Sequence, residues 1–260
     1  MSTLPTGDPA ALFALLDTSD VSHDEVEEAI VSLGATAVPV LVKALSDEKS
    51  GWCAARLLGR IGAPAARKAE PTLIRVMRTA KTEPGRAWPA RALAQLGRLD
   101  ALEPLLASKK KEDHFTLAEG LKEGRPKTYA FLEQALATGP GTFVRCVAST
   151  LSPGSARFDY SEKELAPLLA AARSQHAILR RDAICNLPNV ERRARPQLVP
   201  TLVAALTDRD AHVRRLAILG LDDLGKRVVR ASAEHLRPLR DDRVAAVRDT
   251  AARVLDAIGA

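Results

Sequence analysis

The chain predicts an all-α fold, a right-handed α-solenoid of about eight antiparallel helix pairs. A two-helix pattern returns along the sequence, and self-similarity at a period of 20 to 50 residues marks a solenoid. Prolines punctuate the copies. Hydrophobic residues make up 46 % of the 260, mostly Ala, Leu and Val, while aromatics are only 3 %, which suits close-packed helices and leaves little for a sheet core.

Residues 195–225 show the unit most clearly. Leu198, Val199, Leu202, Val203 and Leu206 recur at three-four spacing, with Pro196 and Pro200 early in the helix, where a missing N–H is tolerated best. Val213, Ala217, Leu221 and Leu224 then form the apolar stripe of a second helix, which Gly225 stops. Between them Thr207-Asp208-Arg209-Asp210 supplies a polar turn whose Asp residues can cap the second helix.

The copies follow in order. Pro39, Pro71, Pro104, Pro167, Pro200 and Pro238 open first helices, with several intervals of 32 or 33 residues. Val213-Arg214-x-x-Ala217-x-x-x-Leu221 is repeated as Leu179-Arg180-x-x-Ala183-x-x-x-Leu187 and Val247-Arg248-x-x-Ala251-x-x-x-Leu255. Looser copies are Val144-Arg145-x-x-Ala148 and Ala54-x-x-x-Leu58. Ile61-Gly62, Leu96-Gly97, Leu224-Gly225 and Ile258-Gly259 are the expected helix stops.

Repeat one comprises a helix from the Asp8-Pro9 cap to about Leu16 and another from the Ser22-x-x-Glu25 capping box to Leu33. Repeats two (Thr36 to Gly62) and three (Pro64 to Gly97) follow, then repeat four (Leu99 to Gly124) and repeat five (Pro126 to Ser152). An irregular insertion near 153–160 precedes the Ser161-x-x-Glu164 capping box of repeat six, and repeats seven and eight finish the chain. The expected organisation is one continuous stack over 1–260, with a two-domain division at the insertion as the alternative.

These segments resemble the HEAT repeat, in the variant also seen in phycobilin lyase subunits. Gly34 to Leu45 with Asp47 fits its first helix and turn, and the Val-Arg-x-x-Ala copies fit its second. The resemblance covers nearly the whole chain and implies the solenoid fold. Repeat scaffolds serve many roles, so it leaves function open.

Formal charge is +6, and residues 161–260 hold 18 Lys and Arg against 13 Asp and Glu. The basic excess lies in that half, which permits an acidic partner or nucleic acid. Cys53, Cys146 and Cys185 lie within helical patterns without metal spacing, and the sequence has no basic leader and no run of 18 apolar residues. The expectation is a cytoplasmic protein with reduced thiols and no membrane insertion.

No catalytic, cofactor-binding or metal site emerges. His23, His114, His176, His212 and His235 never take His-x-x-x-His or His-Glu-x-x-His spacing, and nucleophile-elbow and phosphate-loop motifs are absent. Deoxyhypusine hydroxylase, a HEAT-repeat enzyme, holds iron with His-Glu pairs. This chain has only the reversed Glu234-His235, which excludes that enzyme.

Arginines are the remaining lead. Arg86, Arg145, Arg180, Arg214 and Arg248 take the second-helix position that in HEAT repeats pairs with a turn Asp. Asp208 is expected to pair with Arg214, and Asp241 or Asp242 with Arg248. On the opposite side of the second helices, Trp52, Arg56, Arg91, Arg181, Arg215 and Arg253 fall along one face, interrupted by Asp249 and Asp256. HEAT folds line their concave groove with that side. Such a row fits a non-enzymatic scaffold that binds a protein or peptide segment. The alternative is a DNA or RNA binder that resembles, in outline, the alkylpurine DNA glycosylases, whose concave side carries Trp, Asp and Arg.

Overall fold

A computed structural model describes residues 7–17, 22–151, 160–191 and 196–260. The N-terminal stretch before Gly7, the insertion near 153–160 apart from Tyr160, and Arg195 at the start of repeat seven lie outside them. The architecture is all-α. Among the described residues the only β contact is one parallel bridge between Tyr160 and Val190.

The chain falls into two compact units, residues 1–128 with 138–150, and 129–137 with 151–260. In the first, α1 (Pro9–Leu15) packs on α2 (His23–Ser32), α3 (Val38–Ala44) on α4 (Gly51–Ile61), α5 (Glu70–Thr79) on α6 (Glu83–Gln95), and α7 (Glu103–Leu106) on α8 (Lys111–Glu123). Next come α9 (Tyr129–Thr138), whose first nine residues group with the second unit, and α10 (Gly141–Thr150), which belongs to the first. The second unit continues with α11 (Leu165–Ala171), α12 (Ala177–Asn186), α13 (Val199–Ala205), α14 (Ala211–Asp223), α15 (Lys226–Ala231), α16 (Ala233–Leu236) and α17 (Ala245–Asp256). Repeat five of the sequence reading is therefore shared between units. Buried contacts explain where α9 goes, because the Tyr129 hydroxyl donates to the buried Asp182 carboxylate of α12 at 2.7 Å.

Local signals behave as their chemistry requires. Pro39, Pro71, Pro104 and Pro200 fall in the first two positions of their helices, where no intrahelical N–H bond is lost. Asp8 and Ser22 cap α1 and α2, while the Ser161/Glu164 box closes a short 3-10 turn ahead of α11. Gly97 follows α6 with φ +80°, and the next N–H, of Arg98, reaches back to the Leu93 carbonyl at 2.8 Å. That left-handed turn is comfortable only for glycine.

Second helices form the inner layer of each unit: α2, α4, α6, α8 and α10 pack side by side in one, and α12, α14 and α17 in the other. Small residues set the spacing. A Cβ added at Gly120 of α8 would stand 3.0 Å from the Ala90 carbonyl oxygen of α6, so these backbones nearly touch. Leu57, Leu93, Leu117 and Phe143 fill the first core, and Leu179, Leu202, Val213, Leu221 and Leu255 the second; all are buried.

Charge joins the layers in a pattern that corrects the pairing expected from sequence. Arg214 does not bridge to the Asp208 carboxylate. Its Nη1 donates to the Asp208 carbonyl of its own turn at 2.7 Å, while Nε and Nη2 grip both Asp242 oxygens of the following turn at 2.7 Å. One repeat earlier, Arg180 grips Asp208 at 2.7 and 2.9 Å and bonds the Ser174 carbonyl of its own turn. Arg248 donates to the Asp242 carbonyl at 2.8 Å. The ladder thus runs between repeats because a side chain at the fourth helical position reaches the carbonyl six residues earlier in its own turn with one nitrogen and has the others left for the next. Arg86 pairs with Asp113 in the first unit, while Arg145 is exposed.

Both Arg214 and Asp242 side chains are 7 % exposed, so removing one strands the other. Arg214→Ala should cost roughly 3 kcal/mol in urea unfolding, whereas Arg253→Ala, in the exposed pair with Asp222, should cost under about 0.5 kcal/mol.

Candidate functional site

The residues singled out on the outward side of the second helices fall into one row per unit. In the first, Trp52 and Arg56 lie on α4 and Arg91 on α6; in the second, Arg181, Arg215 and Arg253 lie on α12, α14 and α17. Nearly every arginine of the two rows is spent on a neighbouring helix. Arg56 pairs with the buried Glu27 carboxylate of α2, which Arg60 also meets at 3.0 Å, and Arg91 pairs with the buried Glu119 of α8. Arg181 holds both oxygens of Asp210 at 2.9 and 2.5 Å, Arg253 reaches Asp222 at 3.3 Å, and Arg215 makes a long bond of 3.4 Å to the Thr250 hydroxyl. Asp256, expected to interrupt the row, pairs instead with Arg240 at 2.6 Å.

Sequence reasoning places Asp249 and Asp256 among the row but not these acceptors, which lie on neighbouring helices and turns. Glu27, Glu119, Asp210 and Asp222 stand 28 to 31 residues from their arginines, about one repeat away, which is the signal that would have found them.

A second feature was legible only in part. Trp52 was expected on the face, but its partner Trp88 was not joined to it. The two rings meet with centroids 5.9 Å apart and planes tilted by 46°. Arg56 lies 5.5 Å from the Trp52 ring centre and Arg91 4.3 Å from that of Trp88, each about one helical turn beyond its tryptophan. The Trp-x-x-x-Arg and Trp-x-x-Arg spacings, 36 residues apart, were the available clue.

Beside the tryptophans lies a cleft of about 790 Å³ between the internal turns of repeats two and three. Its opening has a physical cause. The copy Ala54-x-x-x-Leu58 places Gly51 where other repeats carry the ladder arginine, and a Cβ there would stand 2.7 Å from the Leu45 carbonyl oxygen. The corresponding hollow of the second unit, about 510 Å³, is lined by Arg180 and Asp208 themselves.

Burial raises the Cys53 thiol to about 11, so it is a poor nucleophile at neutral pH. Cys146 is buried and Cys185 partly exposed. Among the described residues no three His, Cys, Asp or Glu converge as metal ligands, and no helix is long and apolar enough to cross a membrane.

Stacked helix pairs with a charge-neutralised inner layer define a helical-repeat protein. Residues 165–256, from α11 to α17, match the family of HEAT repeats. No curated protein matches. Similar solved structures include the archaeal HEAT-like repeats protein from Thermococcus onnurineus NA1, at 14% identity over 93% of this chain and 98% of that one, with TM-score 0.48. A designed armadillo repeat protein in complex with the peptide (KR)4 is 14% identical over 97% and 100%, with TM-score 0.38. Human deoxyhypusine hydroxylase in complex with glycerol is 18% identical over 96% and 95%, with TM-score 0.35. Nothing about binding or activity passes from them to this chain.

The Arg181 hydrogen bonds hold Asp210 down to about 2, against the partial opposition of its burial. A carboxylate depressed in the folded state stabilises above its unfolded value near 4 and loses that contribution as pH falls toward 2. The stability difference between the parent chain and Arg181→Ala should therefore be constant above pH 5, about 1 kcal/mol after allowing for solvent screening, and should shrink toward pH 2 in urea titrations.

Proposed function

We propose that this chain is a non-enzymatic scaffold that binds a partner protein through the outward face of its second helices: Trp52, Arg56 and Arg91 in the first unit, and Arg181, Arg215 and Arg253 in the second. The observation that carries this reading is the internal neutralisation of the arginines beside an open aromatic pair. Guanidinium groups already gripped by carboxylates must give those up before they can hold phosphate, whereas a face of matched charges with accessible indoles suits a polypeptide.

The nucleic-acid alternative makes an opposite quantitative demand. Four or five arginines gripping phosphates would give log affinity against log salt a slope near −4 on duplex DNA. We expect at most weak duplex binding near physiological salt. Nuclease-treated pull-down from the native lysate should retain a stoichiometric protein partner that Arg215→Glu weakens. Sub-micromolar duplex binding lost on joint Arg181→Ala and Arg215→Ala, or recovery of nucleic acid alone, would overturn the scaffold.

A further inference from the structure

The Trp52–Trp88 cleft has a chemistry of its own, and what it offers can be counted. Trp52 is 41% exposed. Among the described residues neither indole N–H has a hydrogen-bond acceptor, so two donors stand over adjoining aromatic surfaces. Lys49, Arg75 and Lys81 also line the cleft, and none has a carboxylate in ion-pair range among the described residues; Arg75 donates to the Ser46 hydroxyl at 3.0 Å. On the acidic side are Asp47 and Glu48. Asp47 is turned to its own backbone, its Oδ1 accepting from the Lys49 and Ser50 N–H groups at 2.9 and 2.8 Å and from the Ser50 hydroxyl at 2.9 Å. Three cations outside ion-pair range and two indole donors therefore share the cleft with two carboxylates, which leaves one positive charge in excess and both indole N–H groups open.

The occupant must be flat, apolar and rich in acceptors. With centroids 5.9 Å apart and touching, the rings leave no slot for a third ring between them, so a ligand lies across the angle they make. A polyproline II segment fits that demand: its pyrrolidine rings pack on indole faces, and its carbonyls are unspent because the helix has no internal hydrogen bonds, so they can accept from the indole N–H groups. Acidic side chains between the prolines complement Lys49, Arg75 and Lys81.

We infer that the cleft between the turns of repeats two and three binds an extended, proline-containing acidic segment of a partner protein. The inference rests on the scaffold reading and names the partner's chemistry at one part of the proposed face.

The test is calorimetric titration of the full chain with an end-blocked decapeptide alternating Glu and Pro, against peptides with every Pro replaced by Ala or every Glu by Lys, and against oligo-dT. The Glu-Pro peptide should bind at least about tenfold more tightly than each of the others, as expected when a central aromatic anchor and the charge pattern both count. Trp88→Ala should weaken it about tenfold; because Trp88 is partly buried, the exposed turn substitution Lys81→Glu supplies a second reading and should weaken it several-fold, with far-ultraviolet circular dichroism unchanged. Equal binding of the Ala peptide, preference for the Lys peptide or oligo-dT, or no heat with any probe would overturn the inference. If the nuclease-resistant partner is still captured in any of those cases, the scaffold stands without this cleft; if nucleic acid alone is recovered, the scaffold itself falls.

Discussion

The inter-repeat grip of an arginine on the carboxylate of the next turn is the constraint on which the second unit's order depends. Apolar stripes alone would let helix pairs slide against one another, since Leu, Val and Ala pack at several neighbouring registers at little cost. Arg180 with Asp208 and Arg214 with Asp242 permit one register, because each guanidinium must also reach the carbonyl of its own turn. Each Asp does double work, also accepting from a backbone N–H in its turn. The Arg214 hydrogen bonds draw Asp242 below the ordinary carboxylate range; Asp208 is lowered as well, its burial opposed by the Arg180 bonds. The ion pairs therefore stay formed over the whole neutral range.

The same economy explains why a basic sequence presents so little free cation on its inner layer. Arg56, Arg91 and Arg181 reach acceptors on adjacent helices as the ladder residues do, though on the opposite side of the helix. Two rails of charge hold the layer, one at the turns and one along the outward face. Burial and the neighbouring Arg60 draw Arg56 below the usual arginine range, with Asp24 opposing them.

Much of the fold was legible because its determinants are local. Helix starts at Asp8, Ser22 and Pro200, and stops at Gly62, Gly97 and Gly225, follow from what each residue does to its own backbone. The pairing of charges was not, since it joins residues about a repeat apart and depends on which side of a turn a guanidinium reaches first. That is why Asp208 was assigned to Arg214 rather than Arg180. Nor could the sequence place α9, which joins the second unit through bonds such as Tyr129 to Asp182 and the Ser174 hydroxyl to Glu133. Of the candidate face, period and helical angle gave the arginines, but whether they were free lay in acidic residues about one repeat away, which a reading of the basic residues alone passes over. Trp88 stands one place later along its helix, relative to the ladder position, than Trp52 does, so the period alone does not align the two.

Gly51 has a bearing on how the chain can change. A turn held by a ladder arginine is committed, because an added residue at 208–210 would pull the cap from α14 and the anchor from Arg180 together. The turn at 80–85 faces a glycine instead: Thr82 still caps α6, but no arginine of the preceding repeat is anchored there. Changes beside Lys81 that spare Thr82 disturb no such anchor. One missing side chain thus separates the part of the molecule that must be inherited intact from a part free to acquire new specificity.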